Sequence, residues 1–120
     1  MGRIEIEIPC KLPSGSLWTW RQWYVEAGWK KRFMKEILPA RGKQKASNKR
    51  RLSIMRVLGK GERMYDKVNL YQGVKPLEDA LVKHGYLVDD SPKWCDLHVD
   101  QTDRLRANGP KILISIRDIP

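Results

Sequence analysis

Six residues in the second half of the chain have side chains that can do chemistry together: Asp66, Asn69, Lys75, Asp79, Asp89 and Asp90. Carboxylates gathered in a basic protein need a cation to offset their repulsion, and hard oxygen ligands suit Mg²⁺. A cation held that way activates water and stabilises the leaving oxygen of a phosphodiester. Taken singly, these residues have plainer uses. An Asp-Asp pair more often sits in a loop or caps a helix. Asn69 reads as the N-cap of the helix that follows it. Lys75 and Asp79 stand at i, i+4 and can form an ordinary solvated ion pair.

The elements around them decide whether they can meet. Leu70, Val74, Leu77 and Leu81 form one apolar stripe at helical spacing. Lys83, His84 and Gly85 make a suitable C-terminal end. Pro76 either opens a helix that begins near Lys75 or kinks a longer one. A helix from Asn69 to Lys83 rises about 22 Å away from Asp66. Six extended residues, Gly85 to Asp90, cover about 20 Å on the return. Asp89 and Asp90 are therefore expected to come back beside Asp66.

In order along the chain, Asp66-Lys67-Val68-Asn69-Leu70, Lys75-Pro76-Leu77, Asp79-Ala80-Leu81, Gly85 and Asp89-Asp90-Ser91-Pro92 resemble the pattern of the RusA family of Holliday junction resolvases. That pattern reads D-x-D-N-L, K, D-A-L, G and D-D. The resemblance is strong over about 27 residues, with several fixed spacings in agreement, and it extends in order of elements and in length to nearly the whole chain. It implies a homodimeric, Mg²⁺-dependent endonuclease that binds four-way DNA junctions. Such an enzyme makes paired nicks across the branch point, in recombination and repair, and is often carried by phage or prophage. By position, Asp66 matches the first catalytic and metal-ligating aspartate, Asp90 the last, and Lys75 the lysine that supports catalysis. Asp89 lies beside the metal site. Position 68 departs from the pattern: the family has its second metal-ligating aspartate there, and this chain has valine. Valine neither ligates a cation nor accepts a proton, so cleavage is expected to be impaired. Glu78 or Asp79 could in principle substitute, but both lie on the helix beyond the motif and Asp79 already matches a family helix position; should the chain cut after all, Asp89 is the first suspect for the missing ligand. The alternative is a junction-binding protein on the same fold that does not cut.

The charge distribution points to a polyanionic partner. The chain of 120 residues has a net charge of +10, and residues 30–63 hold 13 of its 24 Lys and Arg but only 2 of its 14 Asp and Glu. Cations concentrated in this way displace counterions from a phosphate backbone. Lys30, Lys31, Arg32, Lys43, Lys45, Lys49, Arg50 and Arg51 are the candidate DNA contacts. Residues 40–49 lack an apolar period and read as a mobile basic loop. Tryptophan among cations can also stack on unpaired bases, Trp29 being the best placed, although core packing is the commoner fate.

The remaining elements complete an α+β reading. Ile4, Ile6 and Ile8 alternate with polar residues as a strand ended by Pro9. A helix is expected from about Thr19 to Leu38, with Trp20, Trp23, Tyr24, Phe33, Met34, Ile37 and Leu38 on its apolar side. Leu52 to Leu58 suggests a strand with an exposed basic face, and Trp94 to Asp100 another. Ile112, Ile114 and Ile116 alternate in the last strand. The order β-α-β-α-β-β describes one small α+β domain over residues 1–120, with two main helices on a mixed sheet. The alternating isoleucines of the first and last strands are candidates for a dimer interface, and a two-fold junction calls for two symmetric sites.

No apolar run suits a membrane span or a signal peptide. A cytoplasmic protein with Cys10 and Cys95 reduced is expected, with no small-molecule cofactor. His84 and His98 read as ordinary surface or core histidines.

Overall fold

The computed structural model describes residues 2–17 and 23–119. The elements are β1 (Ile4–Ile8), α1 (Trp23–Glu36), β2 (Arg50–Val57), α2 (Lys67–Gly73), α3 (Lys75–Lys83), β3 (Cys95–Thr102) and β4 (Lys111–Asp118). The strands form one mixed sheet in the order β1-β4-β2-β3. β4 runs antiparallel to both β1 and β2, while β2 and β3 are parallel. A parallel pair needs a crossover of a dozen or more residues, and α2 and α3 provide it. The α+β fold expected from the sequence is the fold observed.

Alternation along each strand sends one set of side chains under the helices. Ile8, Leu52, Ile54, Ile112, Ile114 and Ile116 lie fully or almost fully buried there, with Cys95 at the edge. They pack with Phe33 and Ile37 of the α1 region and with Leu70, Val74, Leu77, Ala80 and Leu81. The isoleucines of β1 and β4 thus build the core or lean on it, Ile4 and Ile6 being only partly buried. Ile8, Ile112, Ile114 and Ile116 are fully buried and so cannot meet a second copy, whereas Ile4 and Ile6 keep some exposure on the edge strand β1. The opposite face carries Arg51, Ser53, Met55, Leu113, Ser115 and Arg117, each half-buried or exposed. Among the described residues, no helix is long and apolar enough to cross a membrane.

Several local expectations need correction. The first helix begins at Trp23 and ends at Glu36, and residues 19–22 of the expected helix, Trp20 among them, lie outside the described residues. Trp23 and Tyr24, placed on its apolar side by pattern, are 70% and 60% exposed. Of the two alternatives the sequence left open around Pro76, the structure has a helix that begins at Lys75 with Pro76 in its first turn, and a separate short helix before the break at Val74. Proline there gives up only an N–H that has no partner inside its own helix.

The basic face expected of β2 is also different. Arg50 and Arg56 each retain only 1% exposure. Within residues 40–49, Ala40 N–H donates to His84 O at 2.9 Å and Ala46 N–H to Gly85 O at 2.8 Å. Gly85 itself has φ +89, a conformation that an L side chain rarely adopts.

Candidate functional site

Asp66 is placed by a clamp on the loop before it. Gln101 of β3 accepts from Tyr65 N–H at 3.1 Å and from Arg56 Nη1 at 2.8 Å, and its Nε2 donates to Tyr65 O at 2.7 Å. The Arg56 guanidinium lies 3.5 Å from the centre of the Tyr65 ring. Tyr65 Oη donates to Leu12 O at 2.8 Å. Arg106 Nη1 donates to Gly59 O and Glu62 O, each at 2.7 Å. Buried arginines tolerate desolvation when hydrogen bonds and a π face replace water. Burial nonetheless pulls the Arg56 pKa down and pushes the Tyr65 pKa up.

Asp66 then caps α2. Its Oδ1 accepts from Asn69 N–H at 2.8 Å and its Oδ2 from Asn69 Nδ2 at 2.9 Å. The sequence pointed to Asn69 as the N-cap, but Asp66 holds that position and Asn69 is the residue it binds. Val68 projects from the first turn of α2 and is 64% exposed.

Lys75 is the first residue of α3, and Glu78 lies one turn further on. Glu78 is 6% exposed. Burial, the nearby charge of Asp90 and, less strongly, that of Asp79 push its carboxyl up to about 7, while Lys75 works in the opposite sense. The same neighbourhood reaches Cys95, whose thiol is raised to about 12 by burial and then by Glu78, Asp90 and Asp96, against Lys49. Asp90 thus lies close enough for its charge to act on the buried carboxyl of Glu78. Because the helix breaks at Val74, the straight outward path of about 22 Å expected from the sequence is absent. Asp79 pairs with Lys30 of α1 at 3.9 Å rather than with Lys75.

Among the described residues, no three His, Cys, Asp or Glu side chains form a group that can hold a metal ion. Asp66, Asp89 and Asp90 are all exposed, and Asp66 is engaged by Asn69. These residues do not fit a preformed three-carboxylate Mg²⁺ cage.

No protein-family model matches the chain, and no curated protein matches it.

The basic residues divide into free and structural ones. Lys31, Arg32, Lys43, Lys45 and Lys49 are exposed, and Lys30 is half-buried. Arg32 sits 5.3 Å from the Trp29 ring centre, and Trp29 itself packs toward Phe33, with ring centres 5.7 Å apart. Trp29 is therefore partly occupied by the core.

Arg50 is structural. Nε donates to Asp118 Oδ1 at 2.8 Å, Nη1 to Gln44 O at 2.6 Å and to Tyr86 O at 3.0 Å, and Nη2 to Lys43 O and Lys45 O at 3.4 Å. It holds the basic loop from beneath and is unavailable to a phosphate. Arg51 points to the open face and pairs with Asp96 at 3.0 Å. Sequence reasoning missed Glu78's burial, because a Glu one turn along an amphipathic helix looks like a solvent-facing residue.

Proposed function

We propose that this chain is a RusA-like protein that binds four-way DNA junctions as a homodimer in the cytoplasm, and that its Mg²⁺-dependent nicking is impaired by Val68. The observation that carries the reading is the compact path from Asp66 through α2 and α3 to Asp90. The residues that support it are Asp66 as cap with Asn69 bound to it, Lys75 opening α3, Gly85 at positive φ and Asp90 near enough to act on Glu78. The exposed lysines of α1 and of the loop before β2 supply cations for phosphates.

The impairment follows from the carboxylates. Mg²⁺ demands near-octahedral oxygen coordination and dehydrates reluctantly. Valine at position 68 deprives the chain of the family's second metal-ligating aspartate, and among the described residues no three carboxylates are gathered as a group. Its own residues still bind and orient DNA.

The test is a gel-shift and nicking assay with a synthetic four-way junction and a linear duplex built from the same arms, in millimolar Mg²⁺. Preferential binding of the junction, with slow nicking or none, is the expected result. Equal affinity for the two DNAs at every salt concentration would sink the junction reading. Sedimentation of the free protein as a monomer at micromolar concentration would sink the homodimer.

A further inference from the structure

Three arginines meet on the open face of the sheet. A cleft of about 420 Å³ is lined there by Arg3, Arg51, Ser53, His98, Ser115 and Arg117. The strand register explains the convergence. Arg51 of β2 stands directly opposite Arg117 of β4, and Ser53 directly opposite Ser115. Arg51 is also level with Asp96 of β3, and Ser53 with His98. Side chains directly opposite on one face lie close together, and like charges in that position are destabilising. The sequence thus sets two guanidiniums side by side and puts two hydroxyls in the next row.

The carboxylates nearby only partly offset this charge. Asp96 Oδ2 serves both Arg51 Nε, at 3.0 Å, and His98 Nε2, at 3.2 Å. Arg3 pairs at 3.6 Å with Glu5, an exposed residue. Among the described residues, Arg117 makes no side-chain hydrogen bond or ion pair. A planar guanidinium fork is well matched to phosphate oxygens, and hydroxyls can complete the set.

The cleft also continues toward the basic loop. A neighbouring concavity of about 340 Å³ is lined by Arg3 together with Lys43 and Gln44. Strands lie about 4.8 Å apart, so cations on adjacent strands form a track rather than a point.

We infer that this cleft is a phosphate-binding site, with Arg117 and Arg51 as its floor, Arg3 linking it to Lys43, and Ser53 and Ser115 as hydroxyl partners. It takes phosphate groups of a nucleic-acid strand that runs from the basic loop onto the open sheet face. In that form it rests on the nucleic-acid reading above. The chemistry it recognises is that of phosphate, whether in a strand or in a free pyrophosphate.

The experiment uses the full chain and the variants Arg117→Gln, Arg51→Gln/Arg117→Gln and Arg117→Lys. Each is titrated with a labelled single-stranded 20-mer, with a four-way junction and the linear duplex built from its arms, and with pyrophosphate, at several salt concentrations. Each arginine lost from a strand contact should reduce the salt slope for the 20-mer by about 0.7, and Arg117→Lys should keep the slope. Thermal melts guard against misfolding: relief of the Arg51–Arg117 repulsion should leave the melting temperature of Arg117→Gln unchanged or higher. Pyrophosphate binding that Arg117→Gln abolishes, with the DNA slopes unaltered, would assign the cleft to free phosphates. Unaltered binding of all three probes by the folded double variant overturns the site. Junction preference that persists in that case leaves the proposed function standing. A cleft that binds the 20-mer while junction and duplex are bound equally would do the reverse.

Discussion

Asp66 holds Asn69 through both of its carboxylate oxygens, at 2.8 Å to the backbone N–H and 2.9 Å to the side-chain amide. The motif's first aspartate is therefore a helix cap as well as a candidate catalytic group. Asp66→Ala should cost about 1 kcal/mol of stability, the usual loss for an N-cap. Asp66→Asn keeps an acceptor oxygen and should cost much less. Urea denaturation of the two variants separates capping from chemistry: residual nicking should vanish in both, while stability falls mainly in the alanine variant.

Arg50 gives a second prediction. Its guanidinium replaces water for three carbonyls of the basic loop and for Tyr86 O and Asp118. Hydrogen bonds to a charged donor contribute about 1.5–3 kcal/mol each, and removing the donor strands its buried acceptors. Arg50→Gln should lower stability by at least about 2 kcal/mol, and hydrogen exchange at residues 43–46 should speed up. The salt slope for DNA should stay close to that of the parent, because Arg50 reaches no phosphate. A fall in slope equal to that of an exposed lysine variant would contradict this assignment.

Glu78 sets a pH dependence. Its folded pKa of about 7 lies above the ordinary 4.5, so the folded state binds the proton more tightly than the unfolded chain does. Between those values stability must fall as pH rises, and above about 7 the loss is complete. A shift of this size corresponds to an effect on the order of 3 kcal/mol. Glu78→Gln cannot ionise. It should match the parent near pH 4.5 and exceed it near pH 8. Urea midpoints in EDTA at pH 5 and 8 check this; a difference between the two proteins that does not change with pH would show that Glu78 does not titrate in this range.

The strands of this fold are legible because period-two alternation of Ile4, Ile6 and Ile8, or of Ile112, Ile114 and Ile116, has one structural solution, an apolar face under helices. The positions of charged groups were less so. Arg50, Arg51 and Arg56 lie in a single strand and look alike in sequence. One strand position sends Arg50 and Arg56 inward to carbonyls, and the intervening one sends Arg51 outward to the cleft. Which arginine faces which side depends on the sheet register, a long-range property. The helix break at Val74 was half legible: Pro76 signalled it, but the apolar stripe continues across it from Leu70 to Leu81.

Val68 is the decisive position for the proposed activity. It stands in the first turn of α2, two residues after the cap, with its side chain 64% exposed. An aspartate there removes no core packing and adds a negative charge near a helix N-terminus, where anions are stabilising by about 0.3–1 kcal/mol. Val68→Asp should therefore fold at least as well as the parent. It should raise Mg²⁺-dependent nicking of a four-way junction by at least about 100-fold, comparable to the change seen when one group of a catalytic metal site is restored or lost. Junction affinity should change little, or weaken slightly from the added charge near phosphate. If the parent chain already nicks junctions efficiently and Asp66→Asn abolishes that activity, another side chain supplies the missing oxygen. Asp89, beside Asp90 in the chain, is then the first residue to replace, and Glu78, one turn from Lys75, the second.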